Sequence, residues 1–161
     1  MQQKHNKSSK ELIEVMELKL FERNDLLKCV NTFINVFNEE PWNDEWSAET
    51  AYRYLIDFTN TPGFIGVVAI EGEEIIGFTF GVCKRWWSGE EFFINEMCVS
   101  IKKQKSGIGS ALMGFLMKKL EAAGISNITL LTDRGIPAEA FYKKIGFTEI
   151  DRLVFLNKNM K

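Results

Sequence analysis

The residues best placed to do chemistry fall in one run, Asn95 to Leu120, NEMCVSIKKQKSGIGSALMGFLMKKL. Phe92 to Val99 reads as an apolar strand, Ser100 to Gly109 as a polar, basic, glycine-bearing turn, and the remainder as an amphipathic helix. Amide N–H groups at a helix start lack partners within the helix and sit at the positive end of its dipole. Such a corner binds anions, phosphate above all. Glycine at 107 and 109 lets a ligand approach the backbone and tolerates positive φ, and Lys102, Lys103 and Lys105 add positive potential. Just before the turn, Glu96 puts a carboxylate into an otherwise apolar strand, which is costly unless it faces a cleft or a partner. Desolvation there raises its pKa toward the range of a general base. The competing reading is a hydrogen-bonded strand glutamate on the sheet surface.

A strand–Gly-x-Gly–helix corner is by itself a weak signal, since many αβ proteins use glycine there to pack the helix. Gln104-Lys105-Ser106-Gly107-Ile108-Gly109 is neither the dinucleotide fingerprint nor the P-loop. It resembles the Gln/Arg-x-x-Gly-x-Gly/Ala signature of the GNAT superfamily of acyl-CoA-dependent N-acyltransferases. Downstream, Pro137-Ala138-Glu139-Ala140-Phe141-Tyr142-Lys143-Lys144-Ile145-Gly146-Phe147 is similar to that family's A-x-x-x-Y-x-x-x-GF segment. The two blocks stand in the family's order and separation.

The resemblance implies acetyl transfer from acetyl-CoA to a primary amine by direct attack in a ternary complex, with no metal. That reaction needs a deprotonated amine, a stabilised oxyanion and a protonated leaving thiolate. Gln104, Lys105, Ser106, Gly107, Ile108 and Gly109, with Ser110 beside them, would hold the pyrophosphate. The pantetheine arm would pair with the backbone of Met97 and Val99, and an amide near Cys98 or Val99 would face the thioester oxygen. Tyr142 matches the tyrosine that protonates the leaving thiolate; the alternative is an interface ring with its hydroxyl satisfied by backbone. Glu96 is the candidate base. Many members carry asparagine seven residues before the tyrosine; here Gly135 stands there, and Arg134 is the candidate replacement contact. A rival route through an acetylated Cys98 thiol lacks a neighbouring histidine to activate it.

The acceptor side is expected to draw on the acidic, aromatic loop Glu39 to Trp46 and on the Trp86-Trp87 hairpin. Glu39, Glu40, Asp44 and Glu45 near Trp42 and Trp46 suit a cationic, partly apolar amine, through carboxylate and cation–π contacts. Against this stands a solvated loop whose tryptophans staple it to the core. Glu39, Trp42, Trp46 and Trp86 are the candidate substrate residues. The alternatives are a protein or peptide N-acetyltransferase with an open groove, and a non-catalytic acyl-CoA-binding module. Dimerisation through the C-terminal strands is what the family suggests, and the residues leave it open.

These groups must be positioned by a chain of 161 residues, which suits one domain with one sizeable core. A net charge of −2 argues against a dedicated nucleic-acid binder, and 45% hydrophobic content is ordinary for a soluble protein. Three cysteines (Cys29, Cys83, Cys98) in apolar runs read as reduced core residues of a cytoplasmic protein, and a single histidine makes a zinc site or a Ser-His-Asp triad improbable. No stretch approaches the roughly 20 apolar residues that span a bilayer, and the N-terminus lacks the apolar core of a signal peptide.

Residues 1–10 read as a flexible tail and 11–161 as the domain. A first strand is expected over Ile13 to Phe21 with a bulge near Met16. A helix capped by Asn24 or Asp25 follows, with Leu26, Leu27, Val30, Phe33, Ile34 and Phe37 inward. Ser47 caps a second helix, Ala48 to Thr59, with Tyr52, Leu55, Ile56 and Phe58 inward. Strands follow at Phe64 to Ile70, Ile75 to Trp87 (bulge points Gly77 and Gly81) and Glu91 to Val99. The next helix faces inward through Ile108, Leu112, Phe115, Leu116, Lys119 and Leu120, ended by Gly124. A strand at Ile125 to Thr132, a helix from Pro137 to Lys144, and one or two strands within Phe147 to Leu156 complete the chain. The expected fold is α+β, a single GNAT-type domain with a central mixed, mostly antiparallel twisted sheet flanked by about four helices.

Overall fold

The computed structural model describes residues 16–161. The expected tail and the first residues of the expected first strand lie outside that range. The chain forms two compact units, one ending at Leu131 and one spanning Thr132–Lys161.

In the first unit five strands lie side by side in chain order: β1 (Glu17–Leu20), β2 (Phe64–Glu71), β3 (Glu74–Trp86), β4 (Gly89–Val99) and β5 (Asn127–Leu130). Neighbours are antiparallel except β4 and β5, which are parallel. Helices α1 (Leu26–Phe37) and α2 (Ala48–Thr59) join β1 to β2, and α3 (Ile108–Ala122) joins β4 to β5. A Cβ built on Gly77 would meet Ile108 and Leu112 of α3, whereas its neighbour Phe78 is buried in the cluster with Val30 and Phe33 of α1 and Leu55 of α2. Successive strand residues face opposite ways, so α3 covers one face of the sheet and α1 with α2 the other. The arrangement is the mixed, mostly antiparallel α+β fold the sequence predicts.

Local chemistry explains most boundaries. The Ser47 hydroxyl accepts the Thr50 amide (3.1 Å) and the Thr50 hydroxyl accepts the Ser47 amide (3.0 Å), a reciprocal cap that starts α2. Gly124, at φ 78°, ends α3, with the Ile125 amide on the Leu120 carbonyl (2.9 Å). That bond holds Ile125 at the helix end, so β5 begins two residues later than expected.

Several inward faces differ from expectation. In α1 Leu27 is exposed while Cys29 and Val36 are buried, because the helix is rolled toward Phe78 and Cys98 of the sheet. Asp25 does not cap α1 through its side chain; it accepts the Glu22 amide (2.8 Å) and pairs with Lys19 (2.9 Å). In α2 Ala51 and Leu55 are buried and Tyr52 is exposed; Tyr54 turns inward instead. In α3 Met113 is buried, and Lys119 lies outside, its ammonium 5.2 Å from the Phe115 ring. Met16 precedes β1 and forms no bulge.

The irregularities fall at the two expected points of β3, Gly77 and Gly81. Ala69 pairs with Gly77 and Ile70 with Ile75, leaving Ile76 as the extra residue. Phe80 pairs with Glu96 and Gly81 with Ile94, leaving Asn95 extra in β4. Gly81 is required at the second bulge: a Cβ there would lie 2.3 Å from the Phe92 ring and 2.4 Å from the Phe93 carbonyl oxygen.

The second unit holds α4 (Pro137–Lys144), opened by its proline and followed by Gly146 at φ 106°. The strands expected within Phe147 to Leu156 are absent among the described residues. The backbone bonds there are local, Phe147 N–H to Tyr142 O (3.0 Å) and Leu153 N–H to Ile150 O (3.1 Å), and Leu153 to Leu156 are exposed. An alternating apolar pattern becomes a strand only when an edge pairs with it.

Candidate active site

The bulge at Asn95 sets the geometry. β5 pairs with β4 only from Glu91 opposite Asn127 to Ile94 opposite Leu130. Beyond the bulge, Glu96 to Val99 have β3 on one side and no described strand on the other. The Ser100 amide donates to the Ile76 carbonyl on the β3 side (2.7 Å). Backbone polar groups alternate along a strand, so those of Met97 and Val99 point away from β3, onto the open edge. The Gln104 side-chain amide reaches that edge and donates to the Val99 carbonyl (3.1 Å).

The chain then turns through a 3-10 segment (Ile101–Lys103) into α3. The first helical bond is Ala111 N–H to Gly107 O (3.0 Å), so the amides of Ile108, Gly109 and Ser110 precede the ladder and have no partner within it. Lys105 and Gly107 adopt positive φ, 60° and 88°. A Cβ on Gly107 would meet nothing within 4 Å, so space is open in front of this corner. The Ser106 hydroxyl donates back to the Lys103 carbonyl, which leaves the mouth free of that side chain. Contrary to the expectation that it adds free positive charge to the turn, Lys103 pairs with Glu71 (2.7 Å) and ties the turn to the β2–β3 hairpin. Through Ile108 and the Cys98 carbonyl, both beside Gly77, the helix start packs on the open end of β4.

Glu96 is largely buried, and one oxygen, Oε1, accepts the hydroxyl of Tyr54. Burial pushes the Glu96 carboxyl up to about 7; the Tyr54 hydrogen bond opposes this and the nearby Asp44 carboxylate adds to it. Tyr54 is wedged by rings, 5.0 Å from Trp46, 5.7 Å from Phe33 and 4.9 Å from Phe58. Burial and the Glu96 charge push its phenol well above the usual range. Sequence reasoning missed Tyr54, since its partner lies 42 residues away; a buried carboxylate in need of a donor was the available signal.

Cys98 is 5% exposed in the core with its thiol pushed up by burial, then by Glu96 and Cys29. The thiolate needed for an acetylated cysteine is therefore disfavoured, and the rival route loses its nucleophile.

The acceptor-side residues divide. Asn38 clamps the Trp46 backbone by two bonds of 2.9 Å, Trp46 Nε1 donates to Asp44 (3.0 Å), and Trp42 packs on Phe37 at 4.9 Å. The tryptophans thus staple the loop while Glu39, Glu40, Asp44 and Glu45 remain exposed. Trp86 is not brought to this cluster. It pairs with Gly89 at the far tip of the β3–β4 hairpin, 64% exposed, six residues along β3 from Phe80, about 20 Å at 3.3 Å per residue. A separate cleft lined by Pro62, Cys83, Lys84, Arg85 and Glu90 contains none of the candidate residues.

In the second unit Tyr142 lies on α4, its ring 5.3 Å from Phe141 and 5.5 Å from Phe147. Arg134 is held by both oxygens of Glu149 (3.1 and 2.5 Å), which engages the guanidinium proposed for a cofactor contact. Gly135 sits at φ 81°, with its amide on Glu139 (3.1 Å). Among the described residues no cluster of metal-binding side chains occurs, and no helix is long and apolar enough to cross a membrane.

The model of the acetyltransferase (GNAT) family matches residues 27–147. No curated protein matches the sequence. Among solved structures, the aminoglycoside acetyltransferase meta-AAC0020 from an uncultured soil metagenomic sample, in complex with sisomicin, superposes with a TM-score of 0.75 at 18% identity, covering 94% of this chain and 100% of that one. The integron cassette protein VCH_CASS6 from the mobile metagenome of V. cholerae gives 0.77 at 21% identity, covering 90% and 93%. The aminoglycoside N-acetyltransferase AAC(6')-Iy in complex with CoA gives 0.72 at 13% identity, covering 89% and 94%. The structural likenesses are of fold; the family match spans most of the sequence, with the glycine turn and Tyr142 both inside it. The chain belongs to the GNAT family and is an acetyl-CoA-dependent N-acetyltransferase.

Proposed function

We propose that the protein moves the acetyl group of acetyl-CoA onto a primary amine of a small cationic molecule, in a ternary complex. The observation that carries this reading is a buried carboxylate with its pKa raised to about 7, one residue beyond the bulge that opens the β4 edge. The acetyl-CoA thioester supplies the activated acyl group. Met97 and Val99 offer backbone partners to the pantetheine arm, and the amides of Gly107 to Ser110, beside Gln104, Lys105 and Ser106, face the diphosphate. The absence of any obstruction in front of Gly107 supports this fit.

Glu96 takes the proton of the incoming ammonium, since a carboxyl near pH 7 is half ionised under working conditions. Tyr142 is the proposed acid for the departing thiolate, a role supported by its place in the matched family segment. Arg134, whose guanidinium is engaged by Glu149, is the proposed further contact to the cofactor, in the place of the asparagine that many family members carry at the position of Gly135. Asp44 close to Glu96, with Glu39 exposed nearby in sequence and Trp42 and Trp46 beneath, favours a cationic acceptor. The aminoglycoside acetyltransferases among the structural neighbours add weight to that class.

The test is release of the coenzyme A thiol with sisomicin, spermidine and a lysine peptide as acceptors. Turnover fastest with the small polycations, and lost in Glu96→Gln, supports the reading. A preference for the peptide favours protein acetylation, and acetyl-CoA binding without turnover on any amine favours a sensor module.

A further inference from the structure

We propose that Tyr54 is a positioning residue: its hydroxyl holds Oε1 of Glu96 so that Oε2 is the oxygen presented to the acceptor amine. This rests on the reading of Glu96 as the base. Among the described residues Tyr54 is the one protein donor to this carboxylate, and Oε2 has no donor and is not sealed from solvent. A carboxylate with one oxygen fixed and the other unclaimed is arranged to accept a proton at a defined atom.

Tyr54 is itself held. Its ring is confined by Trp46, Phe33 and Phe58, so the hydroxyl has little freedom to turn away. Trp46 is fixed in turn by the double clamp from Asn38 and by Asp44. The acceptor loop thereby sets the base through one ring, and its seating bears on proton transfer. The groups that face Glu96 are Tyr54 from α2, Asp44 from the loop and the neutral Cys98 thiol from β4, and Phe80 of β3 is its partner in the ladder. Tyr54 is the member that stabilises the ionised form, because its O–H donates to the charged oxygen.

The experiment is a carboxyl titration by NMR on protein labelled with 13Cδ-glutamate, with the Glu96 signal assigned by its loss in Glu96→Gln. In the wild-type chain the midpoint is expected near 7. In Tyr54→Phe it should rise by about one unit, the effect of removing one donor from a buried carboxylate. An unchanged or lowered midpoint overturns the proposal. If Tyr54→Phe does not fold, the 13Cζ signal of Tyr54 in the wild-type chain is followed instead, assigned by elimination among the three tyrosines with Tyr52→Phe and Tyr142→Phe. An inflection at the Glu96 midpoint supports the hydrogen bond; a flat trace overturns it. Full thiol release by Glu96→Gln would instead sink the base reading, and the positioning role with it, whereas loss in Glu96→Gln with no shift in Tyr54→Phe sinks the Tyr54 proposal alone.

Discussion

At Glu96 burial and a hydrogen bond pull in opposite directions, and burial wins, taking the carboxyl from the 4.5 of a free glutamate to about 7. The stability consequence follows from its sign. Between those two values the folded chain holds a proton that the unfolded chain has released, so stability falls as pH rises through the window and is flat above it. Glutamine cannot ionise and escapes that loss. Glu96→Gln should therefore be more stable than wild type at pH 8, by up to roughly 3 kcal/mol, with the gap closed at pH 4. Urea unfolding at the two pH values measures it, and a gap of equal size at both would contradict the assignment. Activity moves the other way. The same variant should lose about 100-fold or more in kcat/KM while keeping its acetyl-CoA affinity, and the acid limb of the wild-type pH profile should bend near 7.

Elements carry the next level of the account, because the site exists only where a strand loses its partner and a helix begins. Gly107→Ala should cost about 1–2 kcal/mol, the strain of a side chain at positive φ. Its larger effect should be on acetyl-CoA binding, since the new methyl group would project into the space left for the diphosphate. Calorimetry showing affinity unchanged would remove that corner from the cofactor site. At the start of α2, Ser47→Ala removes a reciprocal cap and should cost about 1 kcal/mol, while loosening Trp46 one residue away and raising KM for the amine more than for acetyl-CoA.

These elements also show what the residues alone could reveal. The start of α2 was legible because Ser47 and Thr50 satisfy each other within one turn, and the Gly107 corner because glycine serves a positive φ that few residues accept. Tyr54 lies two positions, about 200°, from Tyr52, and its helical spacing from Ala51 and Phe58 marks it as inward, but its role was not legible, since only the distant partner Glu96 gives its hydroxyl a task. Asn95 bears no mark of a bulge in its own side chain; the requirement appears across the strand, at Gly81. The alternation after Phe147 predicted strands because pattern reports a capacity to pair and says nothing of an available edge.

For the whole molecule, charge matters more through its placement than its sum. The net charge is only −2, yet Glu39, Glu40, Asp44 and Glu45 are exposed within seven consecutive residues. A polycationic acceptor should be drawn to that loop, and salt should screen the attraction. Raising ionic strength from about 0.02 to 0.5 M should lower kcat/KM several-fold for sisomicin and little for a monoamine. Glu39→Lys with Glu40→Lys should abolish the difference. Equal salt dependence for both amines would argue that the loop is a solvated cover with no part in recognition.

The central claim is that acetyl-CoA lies along the β4 edge opened by Asn95 and ends its diphosphate at the start of α3. Amide 15N–1H shifts on titrating the protein with acetyl-CoA test it most directly. The account predicts the largest changes at Met97, Val99 and Gly107 through Ser110, with the hairpin tip at Trp86 unmoved. Changes centred on the Pro62–Cys83 cleft, with the β4 edge and the glycine corner silent, would contradict it.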